Sequence, residues 1–278
     1  MSELDLDVIG VRKGPVTFSY TWRDVVLYAL SVGATEEELS FIYENAAGGL
    51  QVLPSFCIVP SHRAFPDLGD LDMSRFVHGE QEIWIYEQLP REGSIDAEGE
   101  VTDIYDKGTG ALYRIKVRGR NPDSGKELYQ AEWKIFYLGA GGFGGKRGPS
   151  SEVPQVPEDR EPDFSVCEQV PRSQAALYRL NGDYNPLHVD PEVARRGGFE
   201  RPILHGLCTY GYAVRAVVNT MLGGDVGGFR YFGARFSRPV FPGDTLTTEI
   251  YRQESRNLLR VRTERGTVLS NGVLETSV

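Results

Sequence analysis

The sequence predicts an α+β protein made of two copies of one unit, in each of which helices precede an antiparallel sheet. Three observations lead to this prediction. Short runs of alternating apolar and polar residues follow residue 78 and return after residue 229, as half-buried strands require. Helix-like runs precede each set of strands. A segment rich in glycine and proline separates the two sets, and the order of elements is the same on both sides of it.

The first copy begins with a strand and a capped helix. Residues 18–20 have the composition of a strand. Thr21 is a favourable N-cap residue, and Asp24 supplies an acid in the first helical turn. We therefore expect a helix over residues 25–32, ended by Gly33.

The remainder of the first copy is predicted to be mainly strands. An apolar run covers 39–43, and a second at 52–59, with Pro54 inside it and Pro60 directly after it, fits either type of element. Apolar residues then alternate at 82–87, 113–117 and 133–137, with turn residues between the runs. The pattern predicts an antiparallel meander.

A glycine-rich run at 139–145 leads into a segment rich in proline, serine and charge. Its spacing is not that of a phosphate-binding P-loop, and proline follows where that motif needs a helix. A linker is the better interpretation. The predicted organisation is a first domain at 1–140, a linker at 141–162 and a second domain at 163–278.

The second copy repeats the order of the first. Its predicted elements are a strand at 164–169, a short helix at 173–180, one or two helical turns at 191–196, a long apolar helix at 203–222 and strands from residue 229 onward.

One offset relates the two copies. A shift of 150 residues places Leu27-Tyr28-Ala29-Leu30 on Leu177-Tyr178-Arg179-Leu180 and Gly93 on Gly243, as an internal duplication would. The polar residues of the second copy have no counterparts in the first. At this offset Asp183, Asn185, His188 and Gly206 fall on Gly33, Thr35, Glu38 and Phe56. The second copy is therefore expected to carry the chemistry, and the first to shape a pocket.

A dense polar turn in the second copy is the candidate site. Asp183, Asn185 and His188 lie within one short segment, and Gly182 and Pro186 favour a rigid turn rather than a helix. Near neutral pH an aspartate and a mostly neutral histidine can orient and deprotonate water.

Two other readings of this turn are open. Asp183 could cap a helix while His188 packs in the core. A metal site is the second alternative, since Asp183, His188, Asp190 and His205 include the donors of a two-histidine, one-carboxylate centre. The spacing of these four residues resembles no specific metal motif, so no metal is predicted.

The start of the long apolar helix is the second candidate feature. N–H groups in the first turn of a helix lack partners within the helix and can bind a developing oxyanion. Gly206 would let a ligand approach this backbone closely. The alternative is simple close packing of Gly206 and Gly211 against the sheet.

Composition restricts the class of partner and the compartment. A net charge of -9 argues against nucleic-acid and anionic-membrane binding. The three cysteines, Cys57, Cys167 and Cys208, form no CxxC pair, so neither a disulfide framework nor a structural zinc site is indicated. No apolar run is long enough to span a bilayer. We expect a cytoplasmic protein.

Two stretches of the second copy resemble the signatures of a known family. Residues 177–191 closely resemble the motif of (R)-specific enoyl-CoA hydratases, the hydratase 2 or MaoC-like family, and 202–207, Pro-Ile-Leu-His-Gly-Leu, match its second motif. Residues 26–33 and 53–59 look like that family's first half. The resemblance implies two tandem hot-dog folds, each a central helix wrapped by a curved antiparallel sheet, with a catalytically degenerate first copy.

The resemblance also implies residue roles. Asp183 and His188 would activate water, Asn185 would hold them or the substrate, and the N–H of Gly206 would bind the thioester carbonyl. Water would add syn to a trans-2-enoyl-CoA and give an (R)-3-hydroxyacyl-CoA. Asn181 stands where the family usually has serine or threonine, which puts the substrate more in doubt than the reaction.

The implied substrate-binding positions are Asn181, Gly182, Phe199, Leu204, His205 and, in the first copy, Phe56. No cofactor is expected, because coenzyme A is part of the substrate. The resemblance to the family also implies a homodimer. Three alternatives stay open: a dehydratase of acyl-carrier-protein thioesters, a non-catalytic thioester-binding protein, and a hot-dog thioesterase.

Overall fold

The computed structural model describes residues 4–72, 75–149, 155–254 and 256–277. Residues 150–154, which belong to the predicted linker, therefore lie outside the described part. Among the described residues, the first half has three helices and five strands: β1 (Arg12–Tyr20), α1 (Trp22–Ser31), α2 (Leu39–Ile42), α3 (Ile58–Arg63), β2 (Phe76–Ile85), β3 (Gly93–Asp106), β4 (Gly110–Arg120) and β5 (Glu127–Leu138).

The second half has the same number of each. Its elements are β6 (Phe164–Gln169), α4 (Gln174–Tyr178), α5 (Pro191–Arg196), α6 (Gly206–Met221), β7 (Phe229–Phe236), β8 (Thr245–Tyr251), β9 (Asn257–Thr263) and β10 (Gly266–Thr276). Strand β6 and helix α5 have the predicted bounds. The predicted long helix is confirmed, although it begins at Gly206 rather than at residue 203.

All ten described strands form one antiparallel sheet in the order β1-β3-β4-β5-β2-β7-β10-β9-β8-β6. Read outward from the centre, the order β2-β5-β4-β3-β1 of the first half matches β7-β10-β9-β8-β6 of the second, strand for strand. The two halves join where β2 pairs with β7, for example through Gln81 opposite Ala234. The predicted duplication is thus confirmed as two tandem hot-dog units that share one sheet.

Equivalent residues of the two halves meet at a pseudo-twofold axis. The ring centroids of Tyr28 and Tyr178 lie 6.4 Å apart. The Nδ2 of Asn181 donates a hydrogen bond of 2.9 Å to the Oγ of Ser31. Both pairs are separated by the 150 residues that relate the sequences. As at a twofold interface between subunits, the surface that each half buries here is the same surface.

Local sequence signals explain the limits of α1. The N–H of Thr21 donates to the Oδ2 of Asp24 at 2.8 Å, which satisfies a donor at the helix start. After the last turn Gly33 has a φ of +87°. A Cβ at this position would also lie 2.2 Å from the ring of Tyr212 on α6, so only glycine fits.

The central helices of the two halves differ in length. Helix α6 has 16 residues and is buried over almost its whole surface. Helix α3 has six, preceded by a 3-10 turn (Pro54–Cys57), which resolves the run that the sequence left open. Pro66 disfavours helical conformation at the residue before it, so α3 cannot extend far. The first half therefore has much less helix at its centre.

A buried arginine ties the halves together. Arg215 on α6 is 4% exposed and donates from Nε to the carbonyl of Val32 at 2.9 Å. Its Nη1 binds Glu38 Oε2 at 2.6 Å, and its Nη2 pairs with Glu168. The guanidinium thus joins the end of α1, the start of α2 and β6.

One expectation about the first half needs correction. The strands are antiparallel, but β2 pairs with β5 and β7 rather than with its sequence neighbour β3, so the meander comprises β3, β4 and β5 only. The glycine run after β5 takes part in the packing of this half, since Gly142 and Gly144 donate backbone N–H bonds of 2.8 and 2.9 Å to the carboxylate of Asp106. The predicted domain limits remain predictions.

Candidate active site

The polar turn between α4 and α5 holds its shape through its own hydrogen bonds. Gly182 has a φ of +115°, which reverses the chain after α4. The Oδ1 of Asn185 accepts the N–H of Leu187 at 3.0 Å and begins a short 3-10 turn. The Oδ1 of Asp183 accepts the N–H of Asn185 at 3.3 Å. The predicted rigid turn is confirmed.

A second contact fixes the orientation of His188. Its Nδ1 lies 2.9 Å from the carbonyl oxygen of Ile203, just before α6. Since a carbonyl only accepts, Nδ1 must carry the proton, which leaves Nε2 as the basic nitrogen of the neutral ring. The segment that leads into α6 therefore fixes the ring with Nε2 as its unprotonated nitrogen.

Asp183, His188 and His205 converge. One nitrogen or oxygen of each lies within 4.8 Å of the others. The two imidazole rings stack with centroids 3.7 Å apart and an interplanar angle of 27°. His205 Nε2 lies 3.3 Å from the backbone oxygen of Asp183, which holds the turn against the helix start. Both histidines are buried.

Burial sets the charge of these groups. It lowers the pKa of His188, and the hydrogen bond to Ile203 and the attraction of Asp183 oppose it only in part. Burial and the neighbouring His188 lower the pKa of His205 to about 3. Burial alone would raise the pKa of Asp183, but the nearby imidazoles, led by His205, lower it below its usual value. Near neutral pH the site holds one carboxylate and neutral imidazoles.

Helix α6 begins beside this cluster. His205 is its N-cap residue and Gly206 its first residue. A Cβ on Gly206 would lie 3.1 Å from the ring of Phe236 on β7, so the backbone here is covered on that side by one aromatic ring. The helix start offers N–H groups and the positive end of the helix dipole to a negative oxygen.

Three of the expected substrate-binding residues line one cavity between the halves. Phe56 from the first half meets Asn181 and Gly182 around a cavity of about 70 Å³. Val59 and Arg63 of α3 line the same cavity. Neither Asp183 nor His188 lines it, so the cavity adjoins the turn rather than the polar cluster.

The other expected positions have different surroundings. Leu204 is buried and donates its N–H to the carbonyl of Val240 at 2.7 Å. Phe199 is half-buried after α5, next to Leu187 across Gly197. Asn185 is exposed and uses its side chain as a cap. Their roles in binding stay predictions.

The donor set of a metal centre is present, but its geometry fits poorly. Asp190, one of the four candidates, caps α5 by accepting the N–H of Glu192 at 2.8 Å. A metal bound by both imidazoles must lie near both ring planes at about 2.0–2.1 Å from each nitrogen. With the rings of His188 and His205 stacked at 3.7 Å, a shared ion would lie well off both planes.

Sequence reasoning missed two histidines of the first half. His62 on α3 and His78 on β2 both lie close enough to Asp183 for its charge to act on their pKa values. All four histidines of the chain therefore surround one carboxylate. Only the small number of histidines could have pointed to this, because nothing near His62 or His78 in the sequence resembles a motif.

Together the shared sheet, the two central helices and the polar turn define a double hot-dog protein of the MaoC type. A protein of Mycobacterium tuberculosis described as having a double hot-dog fold shares this architecture alone, with 12% identity, a TM-score of 0.60 and 96% of each chain covered. The MFE-2 hydratase 2 N-terminal domain matches residues 18–139, and the MaoC-like domain matches residues 153–273.

Full-length relatives extend this likeness over the whole chain. A Dictyostelium discoideum protein named probable enoyl-CoA hydratase 2 is 37% identical over 96% of this chain and 94% of its own. The 3-hydroxyacyl-thioester dehydratase Y of Mycobacterium tuberculosis is 40% identical over 98% of both. A MaoC-like dehydratase from Phytophthora capsici has 29% identity, a TM-score of 0.88 and coverage of 98% and 97%. The chain belongs to the hydratase 2, MaoC-like family of hydro-lyases.

The expectations of compartment and assembly are not settled by the fold. Among the described residues, no helix is both long and apolar enough to cross a bilayer. The cytoplasmic location and the homodimer remain predictions.

Proposed function

We propose that the protein reversibly hydrates trans-2-enoyl-CoA thioesters to (R)-3-hydroxyacyl-CoA. The observation that carries this proposal is the convergence of the Asp183 carboxylate with the neutral His188, next to the start of α6. The names of the relatives, enoyl-CoA hydratase and 3-hydroxyacyl-thioester dehydratase, support the same reaction in its two directions.

In the proposed mechanism, His188 and Asp183 hold one water molecule. The free Nε2 of His188 accepts a proton as the water oxygen attacks the β-carbon of the enoyl group. Asp183 orients the water through its second hydrogen, and its negative charge stabilises the imidazolium that forms. A proton then returns to the α-carbon on the same face, so that the elements of water add syn. Dehydration runs through the same steps in reverse.

The charge that develops on the thioester oxygen needs a partner. The N–H of Gly206, at the positive end of α6, is the proposed donor. Preorganised backbone donors of this kind contribute about 10²–10³-fold to the rate in other enzymes.

The nature of the carrier is a separate question. The printed name of the dehydratase Y relative speaks of a thioester and does not name the carrier. Rates on one acyl group attached to coenzyme A and to acyl carrier protein would separate the two hypotheses. We propose coenzyme A because the enoyl-CoA hydratase relative is similar over almost the whole chain.

The direct test is loss of the conjugated-thioester absorbance when the purified protein meets crotonyl-CoA and longer or branched enoyl-CoAs, followed by chiral analysis of the product. We expect the (R) product. Binding of these thioesters without turnover would identify a non-catalytic binding protein instead, and release of free thiol would identify a thioesterase.

The proposed reaction uses no metal and no cofactor. We expect that turnover is unchanged after dialysis against EDTA. If EDTA abolished turnover and zinc or iron restored it, the stacked rings of His188 and His205 would not prevent metal binding. Asp183, His188 and His205 would then be the expected ligands.

A further inference from the structure

The first half contributes a second polar cluster that the proposed reaction does not use. It consists of His62 at the end of α3 and of His78 and Gln81 on β2, and we call it the first-half cluster. The ring of His78 lies 4.5 Å from that of Phe236, the ring that also covers Gly206. The charge of Asp183 acts on both histidines. The first-half cluster therefore borders the reaction site.

Both histidines lie deep in the protein but are not completely buried. Each is surrounded by protein, so that burial lowers its pKa and keeps it neutral, yet each retains accessible surface. Among the described residues, none forms a hydrogen bond with the ring of His62, which contacts Trp133 with centroids 6.0 Å apart.

The free atoms of the first-half cluster are mainly acceptors. His78 Nε2 lies 3.2 Å from the carbonyl oxygen of Glu80 and must donate to it, which leaves Nδ1 as an acceptor. Gln81 is fully buried, and its NH₂ group donates to the carbonyl of Glu82 at 3.1 Å. Its Oε1 makes no hydrogen bond of regular geometry in the described part of the chain, although its side chain lies close enough to His78 to oppose the lowering of that pKa.

Burying these polar atoms against an unsubstituted hydrocarbon chain would cost free energy. A buried polar atom left without a partner loses about 1–3 kcal/mol relative to one that is hydrogen-bonded. Core packing alone would place apolar side chains here, as it does with Val59 and Ile83 on the same two elements. Two neutral imidazoles and a free amide oxygen instead match a ligand group that can donate as well as accept.

We propose that the first-half cluster binds a hydroxyl group on the acyl chain of the substrate, a few carbons beyond the double bond. The hydroxyl donates to Nδ1 of His78 or to Oε1 of Gln81 and accepts from the ring of His62. This inference rests on the proposed hydratase function and names its substrate class: enoyl thioesters with a hydroxylated acyl chain. A ketone can only accept, so it satisfies fewer of these atoms than a hydroxyl does.

The test compares kcat/KM for a set of trans-2-enoyl-CoAs of one length. One member is unsubstituted, and the others carry a hydroxyl or a ketone that is moved along the chain one carbon at a time. We expect one hydroxylated member to exceed the unsubstituted one by about tenfold or more, as sites built around a hydrogen bond discriminate strongly against analogues that lack it. Equal or better turnover of the unsubstituted chain overturns the inference and leaves the hydratase proposal intact.

Variants then test which residues cause the preference for a hydroxylated acyl chain. In His62→Phe, which keeps a ring against Trp133, and in Gln81→Leu, the ratio of hydroxylated to unsubstituted kcat/KM should fall towards one. The matched control is Gln51→Leu, since Gln51 bridges the halves by donating to the carbonyl of Gly224 at 3.0 Å, away from the site. It should leave the ratio unchanged.

The outcomes separate the possible roles. An equal loss on every substrate in His62→Phe, with the ratio kept, would make His62 a positioning residue for Asp183 and overturn the inference. If His62→Phe does not fold, the ratio in Gln81→Leu and the wild-type preference decide. No turnover of any thioester overturns the hydratase proposal and this inference with it.

Discussion

The two halves of the molecule have the same strand order but different centres. In the second half, α6 begins at Gly206 beside His188 and His205. At the equivalent position the first half has Phe56, which packs against Tyr20 and Tyr28 with ring centroids 5.1 and 5.6 Å away. The sheet alone therefore does not determine the site. Strands in the same order surround the start of a long helix in one half and an aromatic ring in the other.

The comparison also corrects the view that the first half is without polar chemistry. His62 and His78 come from the first half and lie around Asp183 of the second. In the proposed function the halves differ in role: the second half supplies the carboxylate and the base, and the first supplies groups across the pocket. Four predictions test this division.

The first prediction concerns the carboxylate. We expect Asp183→Asn to lower kcat by about 10³-fold or more, because the change keeps the shape but removes the charge that orients water and stabilises the imidazolium. Steady-state hydration of the best enoyl-CoA measures this. Asp106→Asn is a matched control in the first half and should keep kcat near that of the wild type. Activity of Asp183→Asn within tenfold of the wild type would contradict the assignment.

The second prediction concerns the joint between the halves. Arg215→Met should lower the free energy of unfolding by about 3–5 kcal/mol, since it leaves the carboxylates of Glu38 and Glu168 without their buried partner. Urea unfolding measures the change. Arg12→Met removes an exposed arginine, 60% accessible, that pairs with Glu100, and should cost less than about 1 kcal/mol. Equal effects of the two variants would mean that Arg215 does not tie the halves together.

The third prediction concerns pH. Burial lowers the pKa values of all four histidines, those of His78 and His205 to about 3. The unfolded chain therefore binds more protons than the folded one below pH of about 6.5, and stability is lost as the pH falls from there towards the folded values. Each group contributes up to about 1.4 kcal/mol per pH unit in that window.

Urea unfolding between pH 8 and pH 5 measures this dependence. His78→Gln should flatten the curve, because it removes one of the buried imidazoles. An unfolding free energy that stays constant from pH 7 to pH 5 would show that these histidines are not buried in neutral form. Asp183, whose pKa is lowered, loses its contribution only at more acidic pH, as the pH falls through its folded value.

The fourth prediction concerns the helix start. A methyl group on Gly206 would lie 3.1 Å from the ring of Phe236, so Gly206→Ala should narrow the approach to the N–H and reduce kcat/KM by about tenfold. Adding Phe236→Leu should recover part of the loss. If the double variant is no better than Gly206→Ala, crowding by Phe236 is not the cause.

Local sequence features predicted a large part of this structure. Gly182 and Pro186 indicated the polar turn, and the 150-residue offset indicated the duplication that the sheet displays. The alternation of apolar and polar residues did not reveal β3, because the residues that face the core include Ala97 and Gly99, which are too small to give an apolar pattern. It also failed for the pairing of β2 with β7, because contacts between distant segments leave no local trace.

The sequence predicted the residues that the second half contributes to the candidate site, but not those of the first half. Asp183, His188 and His205 lie within short motifs, and the structure brings them together. His62 and His78 are surrounded in the sequence by ordinary core residues, and only the packing of α3 and β2 against the turn places them near Asp183. Residues of the first half, far from the motif in the sequence, can therefore border the site in the folded protein.

The hydrogen bond between Ser31 and Asn181 has a consequence for symmetry. In a dimer of identical subunits, a residue on the twofold axis must face its own copy, so serine would meet serine and asparagine would meet asparagine. On one chain the two positions are independent, and an amide can face a hydroxyl with a matched donor and acceptor. The same freedom permits the division that we propose, in which one half carries the catalytic groups and the other recognises the acyl chain of the substrate.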